Sequence, residues 1–95
     1  MAGGWVYIVA NKPGGMIYTG VTANLAERIN QHREDCGSAY CRKFGIEMLV
    51  YAEWHEDIHA AIVREKRIKA WTREWRVALI EKGNPTWSDL YDTLA

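Results

Sequence analysis

The sequence predicts an α+β fold, on three observations: two short aromatic and β-branched runs flank a glycine-rich turn, a third such run follows near mid-chain, and three to four stretches of helical apolar periodicity fill most of the remainder. Trp5 to Ala10 and Ile17 to Gly20 are the first two runs. The Asn-Lys-Pro-Gly-Gly between them has turn composition, so the pair reads as a β-hairpin. Alternation along the first strand places Trp5, Tyr7 and Val9 on one face. Glu47 to Trp54 is the third strand, after a polar loop around Cys36 to Arg42.

The helices announce their starts. Asn24 followed by Glu27 resembles a capping box and predicts a helix from about Leu25 to Arg33. Asp57 is the N-cap of the next, whose stripe is Ile58, Ala61, Ile62, Glu65 and Ile68. Thr72 opens a third helix, with Trp75, Ala78 and Leu79, which Gly83 and Pro85 terminate. A last helix beginning after Thr86 is expected to dock Trp87, Leu90 and Tyr91. Trp71, Trp75, Trp87 and Tyr91 are read as core, because a small domain needs the large areas that aromatic rings bury.

Composition narrows the class. Ninety-five residues with 48% hydrophobic content suit one domain, spanning residues 1–95 with a single modest core. No apolar run approaches the roughly 18 to 20 residues of a membrane span, and no secretory signal pattern opens the chain, so a cytoplasmic protein is expected. Two cysteines, Cys36 and Cys41, cannot supply a disulfide framework or a four-thiolate zinc site and are read as reduced loop thiols. Net charge is zero, yet Arg64 to Arg76 holds six basic residues against two acidic ones. That basic helix reads either as a solvated face or as a nucleic-acid contact built on Arg64, Lys66, Arg67 and Lys69. Glu53, Glu56 and Asp57 are taken as surface charges.

Two apolar stripes are interrupted by ionisable groups. Leu25, Arg28, Ile29 and His32 share one helix face, and Glu65 sits where its own stripe calls for an apolar side chain. Burying an unpaired charge is costly, so Arg28 needs a carboxylate, a phosphate or an open cleft. A buried Arg28–Glu65 ion pair would satisfy both without any chemistry.

With the hairpin, these residues form an ordered set: Tyr7, then Tyr18 with Gly20, then Arg28 and His32 one turn apart, then Glu65. The set resembles the GIY-YIG nuclease domain, in its small stand-alone bacterial form, over about Trp5 to Asn84. The resemblance implies a central three-stranded antiparallel sheet flanked by helices, and hydrolysis of DNA phosphodiesters with one divalent ion, Mg²⁺ or Mn²⁺. It assigns Tyr7 and Tyr18 to the two tyrosine motifs, Arg28 and His32 to the helix positions and Glu65 to the metal. Asn84 is similar to a late family asparagine. Trp5 and Val6 stand where the first motif has Gly and Ile, and Thr19 replaces the Ile of the second; the missing Ile letters are packing positions, while loss of the first glycine bears on access beside Tyr7.

The chemistry needs these residue types together. Phosphodiester cleavage requires an activated water, neutralised charge on the phosphoryl oxygens and a stabilised leaving oxygen. Glu65 can hold the ion, and Arg28 can fork onto phosphate. Tyr7 is the base that the resemblance implies, but an unperturbed phenol, with a pKa of about 10, is a poor base at neutral pH. His32 is the better acceptor there, and either can take the first proton. The competing readings are a nucleic-acid-binding module without catalysis and a protein-interaction module. A neutral domain of this size is expected to need a dimer, a partner protein or a distorted DNA for useful affinity.

Overall fold

The glycine-rich turn folds the first two strands onto each other. Strand β1 (Gly4–Ala10) pairs antiparallel with β2 (Ile17–Thr22), with Tyr7 opposite Gly20 and Val9 opposite Tyr18. The computed structural model describes residues 3–34 and 43–94. Cys36, Cys41 and the polar loop around them lie outside those residues. Strand β3 (Met48–His55) adds antiparallel to the other side of β1, giving the order β2-β1-β3. Helices α1 (Leu25–Glu34), α2 (Ile58–Ala70) and α3 (Arg73–Gly83) flank this sheet, and a 3-10 turn (Tyr91–Leu94) closes the described chain. The α+β class and the three-stranded antiparallel sheet are as the sequence and its resemblance implied.

The central strand is buried on both faces, which is why Val6 to Ala10 reads as an unbroken apolar run. Tyr7 and Val9 pack with Leu25 and Ile29 of α1, with Ile46 and with Leu49, and Trp5 joins them. On the opposite face Ile8 and Ala10 meet Val50, Ile80 and Trp87, while Val6 meets Ala61 and Ile68 of α2. Full burial of each such side chain is worth about 1.5–3 kcal/mol. The predicted caps are in place. Glu27 N donates to Asn24 Oδ1 at 3.2 Å, His59 N to Asp57 Oδ1 at 2.9 Å, and Trp75 N to Thr72 Oγ1 at 3.4 Å.

Strand alternation breaks once, and the break has a consequence at Asn84. Ile8 faces Tyr51 while Val9 faces Leu49, so Val50 is an extra residue in β3. The bulge lets Leu49 and Ala52 both reach the α1 side. It also takes the Val50 carbonyl out of the ladder, and Asn84 Nδ2 donates to that oxygen at 3.1 Å. The same Nδ2 donates to Ser88 O at 2.9 Å, and Ser88 N donates to Asn84 Oδ1 at 3.0 Å.

Those bonds correct the expected C-terminal helix. Among the described residues no α-helix begins after Thr86; instead the chain is strapped along β3 and closes in the 3-10 turn. Trp87 is buried with φ of 56°, held by Trp87 N to Asn84 O (3.1 Å) and Nε1 to Glu81 Oε2 (2.7 Å). Leu90 N donates to Leu49 O at 2.7 Å, and Asp89 Oδ1 accepts from Leu49 N and Tyr91 N. Two other expectations fail. Trp75 is 63% exposed, because α3 turns Ile80 inward and leaves Trp75 edge-on to the half-buried Trp71. Glu53 is no surface charge: it accepts from Tyr51 Oη, from His55 Nε2 at 2.6 Å and from Arg64 Nε at 3.0 Å. Burial pushes its carboxyl up, but these hydrogen bonds and the Arg64 charge outweigh that and hold it below the usual range. Burial and the same carboxylate push the Tyr51 phenol up to about 12.

Candidate active site

Tyr7 is placed by what its neighbour lacks. A Cβ on Gly20 would lie 2.5 Å from both Cζ and Oη of Tyr7, so the phenol occupies the space that any larger residue at position 20 would fill. Gly20 therefore serves as a recess rather than a flexible joint. The ring thus lies flat across β2 and carries its hydroxyl to α1.

There two side chains of one helix face receive it. Arg28 Nε donates to Tyr7 Oη at 3.2 Å, and His32 Nε2 lies 3.1 Å from the same oxygen. The spacing of one turn that put Arg28 and His32 on one stripe is what brings both to a single atom. Tyr7 and His32 meet edge to face, with ring centroids 5.8 Å apart, and Tyr18 lies against His32 at 5.9 Å. Arg28 Nη1 donates to Gln31 Oε1 at 3.2 Å. Gln31 was not anticipated, although an Arg followed by Gln at i+3 is a legible helix-surface pair.

Electrostatics fix the resting state. His32 is fully buried, and burial first, then the Arg28 charge, hold its imidazole below the ordinary value of 6.5. It is neutral at physiological pH and able to accept a proton. Its Nδ1 is buried with no hydrogen-bond partner among the described residues, so Nε2, on Tyr7, is the atom through which it exchanges protons. Beside Arg28 an open groove of about 400 Å³ runs between the β2–α1 turn and the Arg28 and Gln31 side of α1.

Glu65 comes from the opposite layer. Helix α2 packs across β1 and β2, and Glu65 is 8% exposed on its inward stripe with Ala61 and Ile68. Its cation is Lys69, whose Nζ is 2.7 Å from Oε2; the Arg28–Glu65 pair that the sequence allowed is not formed. The Lys69 ammonium also stands 5.7 Å from the centre of the Tyr18 ring, which links Glu65 to the tyrosine cluster. Among the described residues no three carboxylates, thiols or imidazoles gather at one point. A metal ion at this site would have Glu65 as its protein ligand, and a carboxylate that already holds a cation fits that use.

The remaining candidates separate. Of the four basic residues on α2, Arg64 is tied to Glu53 and stacked 5.1 Å over Trp71, and Lys69 is tied to Glu65, whereas Lys66 and Arg67 are exposed and in no ion pair among the described residues. Asn84 bonds to the β3 bulge and to Ser88.

Residues 3–78 match the family model described as the GIY-YIG catalytic domain. A UPF0213 protein of Clostridium perfringens is 42% identical over 76 residues, covering 80% of this chain and 81% of that protein. A UPF0213 protein of Desulfotalea psychrophila is 32% identical over 88 residues, 92% of this chain and 80% of its own length. The solution NMR structure of a UPF0213 protein from Bacillus halodurans superposes with a TM-score of 0.57 at 25% identity, covering 92% of both chains.

Proposed function

Since the chain belongs to the GIY-YIG family, among its small UPF0213 members, we propose that it is a metal-dependent endonuclease hydrolysing DNA phosphodiester bonds. The observation that carries this reading is the convergence of Arg28 and His32 on the Tyr7 hydroxyl, with Tyr18 alongside.

Tyr7 would take the proton of the attacking water as its own passes to His32 Nε2, which burial keeps neutral. Arg28, hydrogen-bonded to the phenol oxygen, favours its anionic form and lines the groove, where a phosphate would lie. Tyr18 packs on His32 and orients the ring. Glu65 would hold the Mg²⁺ or Mn²⁺, whose chemistry when bound is to neutralise the phosphoryl oxygens and acidify water. Exposed Lys66 and Arg67 are the α2 cations best placed to meet the DNA backbone. A second copy or a partner protein would add to that small contact.

The test is cleavage of nicked, branched and single-stranded DNA with Mg²⁺ or Mn²⁺. Arg28→Ala and Glu65→Ala are each expected to lose at least about a hundredfold, the scale of removing a transition-state charge partner. Activity that survives both substitutions sinks the proposal. One observation favours a second reading, a binding module without catalysis: Tyr7 is 1% exposed and His32 0%, whereas Trp75 stands open on the surface. On that reading the wild type retains DNA in a gel shift and cuts none of the three substrates.

A further inference from the structure

Lys69 follows Glu65 by one helical turn, with the acid N-terminal to the base, the favourable order for such a pair. The two side chains differ in freedom: that of Glu65 is 11% exposed, that of Lys69 47%. The carboxylate is thus fixed in the protein, while the ammonium reaches it from a half-solvated stem and can swing away without disturbing the core. A nearly buried carboxylate with no cation at all would be expensive. Lys69 removes that cost in the metal-free protein, and in doing so its Nζ stands 2.7 Å from Oε2, where a divalent ion would bind.

Resting on the nuclease reading above, we propose that Lys69 is an exchangeable resident cation. It holds Glu65 oriented before metal arrives, and it gives up Oε2 when the ion binds. A monovalent and a divalent cation on one small carboxylate repel each other, so the two occupants compete. The exit is on the Tyr18 side, where the ammonium already lies 5.7 Å from the ring centre. Lys69 is therefore a positioning residue that sets the metal affinity of Glu65. A purely structural i,i+4 pair would affect stability and leave metal affinity unchanged.

Mn²⁺ binding, followed by loss of the free aquo-ion signal in electron paramagnetic resonance, separates the two. Lys69→Met is expected to bind Mn²⁺ at least about fivefold tighter than the wild type, since it removes both a competitor and a repelling charge. Lys69→Arg should stay near the wild type, and Glu65→Gln should lose the site. Equal or weaker binding by Lys69→Met, with Glu65→Gln still losing the site, overturns the exchange but leaves Glu65 as the metal ligand. Binding untouched in Glu65→Gln, or absent from every variant, overturns the metal reading and the exchange together. Should Lys69→Met fail to fold, wild-type protein carrying ¹³C-labelled lysine answers the same question. Titration with Mg²⁺ must then move the Lys69 Cε and Tyr18 ring signals in step with occupancy; signals that stay fixed while metal binds overturn the exchange.

Discussion

Gly20→Ala tests the placement of Tyr7 with a single methyl group. The added Cβ would lie 2.5 Å from Cζ and Oη of Tyr7 and 2.9 Å from Cε1. Carbon atoms rest at about 3.5–4.0 Å, so the ring must retreat by about 1 Å. It has nowhere to go, being 1% exposed and packed among Val9, Leu25, Ile29 and Leu49. Overpacking of this kind costs about 1–3 kcal/mol. Moving the hydroxyl weakens its contacts with Arg28 Nε and His32 Nε2, worth about 0.5–1.5 kcal/mol each. The loss of glycine's backbone freedom returns about 0.5–1 kcal/mol. The net expectation is a destabilisation of about 2–3 kcal/mol, or about 10–20 °C in Tm for a domain of this size.

Gly83→Ala is the matched control. Beyond its own helix and chain neighbours no atom of the described residues lies within 4 Å of its added Cβ, and its backbone is helical, so it should stabilise by about 0.5–1 kcal/mol. Urea denaturation of both variants gives the contrast directly. DNA cleavage by Gly20→Ala should fall by about a hundredfold, the scale for a catalytic group misplaced by 1 Å. A Gly20→Ala protein within about 0.5 kcal/mol of the wild type, the typical scatter of an ordinary surface substitution, would refute the account of Gly20 as the recess for Tyr7.

Other sites give independent tests. Thr19 is 3% exposed with a buried Oγ1 that has no partner among the described residues, so Thr19→Val should raise stability by about 1 kcal/mol in urea denaturation; a loss would mean that the hydroxyl is bonded after all. His32 has its folded-state pKa depressed by burial and by Arg28, so the unfolded chain binds more protons once pH falls through about 6.5. Its contribution to stability is therefore complete above that pH and lost on acidification toward the folded-state value. Subtracting the pH profile of His32→Gln isolates it from the other titrating groups, and parallel profiles would contradict the assignment. Asn84→Ala should cost about 2–3 kcal/mol by orphaning the Val50 carbonyl and Ser88, and Asn84→Asp should cost more, since it sets a carboxylate against two carbonyls. Unchanged thermal unfolding in either variant would remove the clasp from the fold.

What was legible in the chain was local. The hairpin follows from turn composition, α1 and α2 from their caps and stripes, and the interruptions at Arg28 and His32 marked two groups that meet at Tyr7, while that at Glu65 marked an inward carboxylate in the opposite layer. What was hidden depends on distant partners. At the β3 bulge Asn84, 34 residues on, satisfies Val50 O, and no period-2 pattern encodes that. The segment after Thr86 carries helical spacing, but Asp89 is drawn to Leu49 N and Leu90 N to Leu49 O, and ladder bonds to an existing strand outweigh a weak propensity. Trp75 reads as core from composition alone, and only the packing of Ile80 decides which side of α3 faces in. Glu53 reads as a strand-end charge until Tyr51, His55 and Arg64 are seen around it.

The charges show why a neutral chain is compatible with a phosphate-directed role. The sequence places six basic residues between Arg64 and Arg76, but the fold commits much of that charge internally. Arg64 goes to Glu53, Lys69 to Glu65, and Arg73 to the carbonyls of Gly14 and Gly15 in the hairpin turn; elsewhere Arg33 goes to Asp89. These four of the chain's twelve lysines and arginines join α1, α2 or α3 to a strand, a turn, the segment after α3 or the same helix. Lys66 and Arg67 are left exposed on α2, and Arg28 stands at the groove. Lys12, Lys43 and Lys82 are exposed as well, so the outward cations are scattered over several elements, and discrimination on the proposed reading rests on short-range fit at Tyr7, Arg28 and Glu65. Net charge is therefore a poor guide to this protein, and the partner of each cation is the better one.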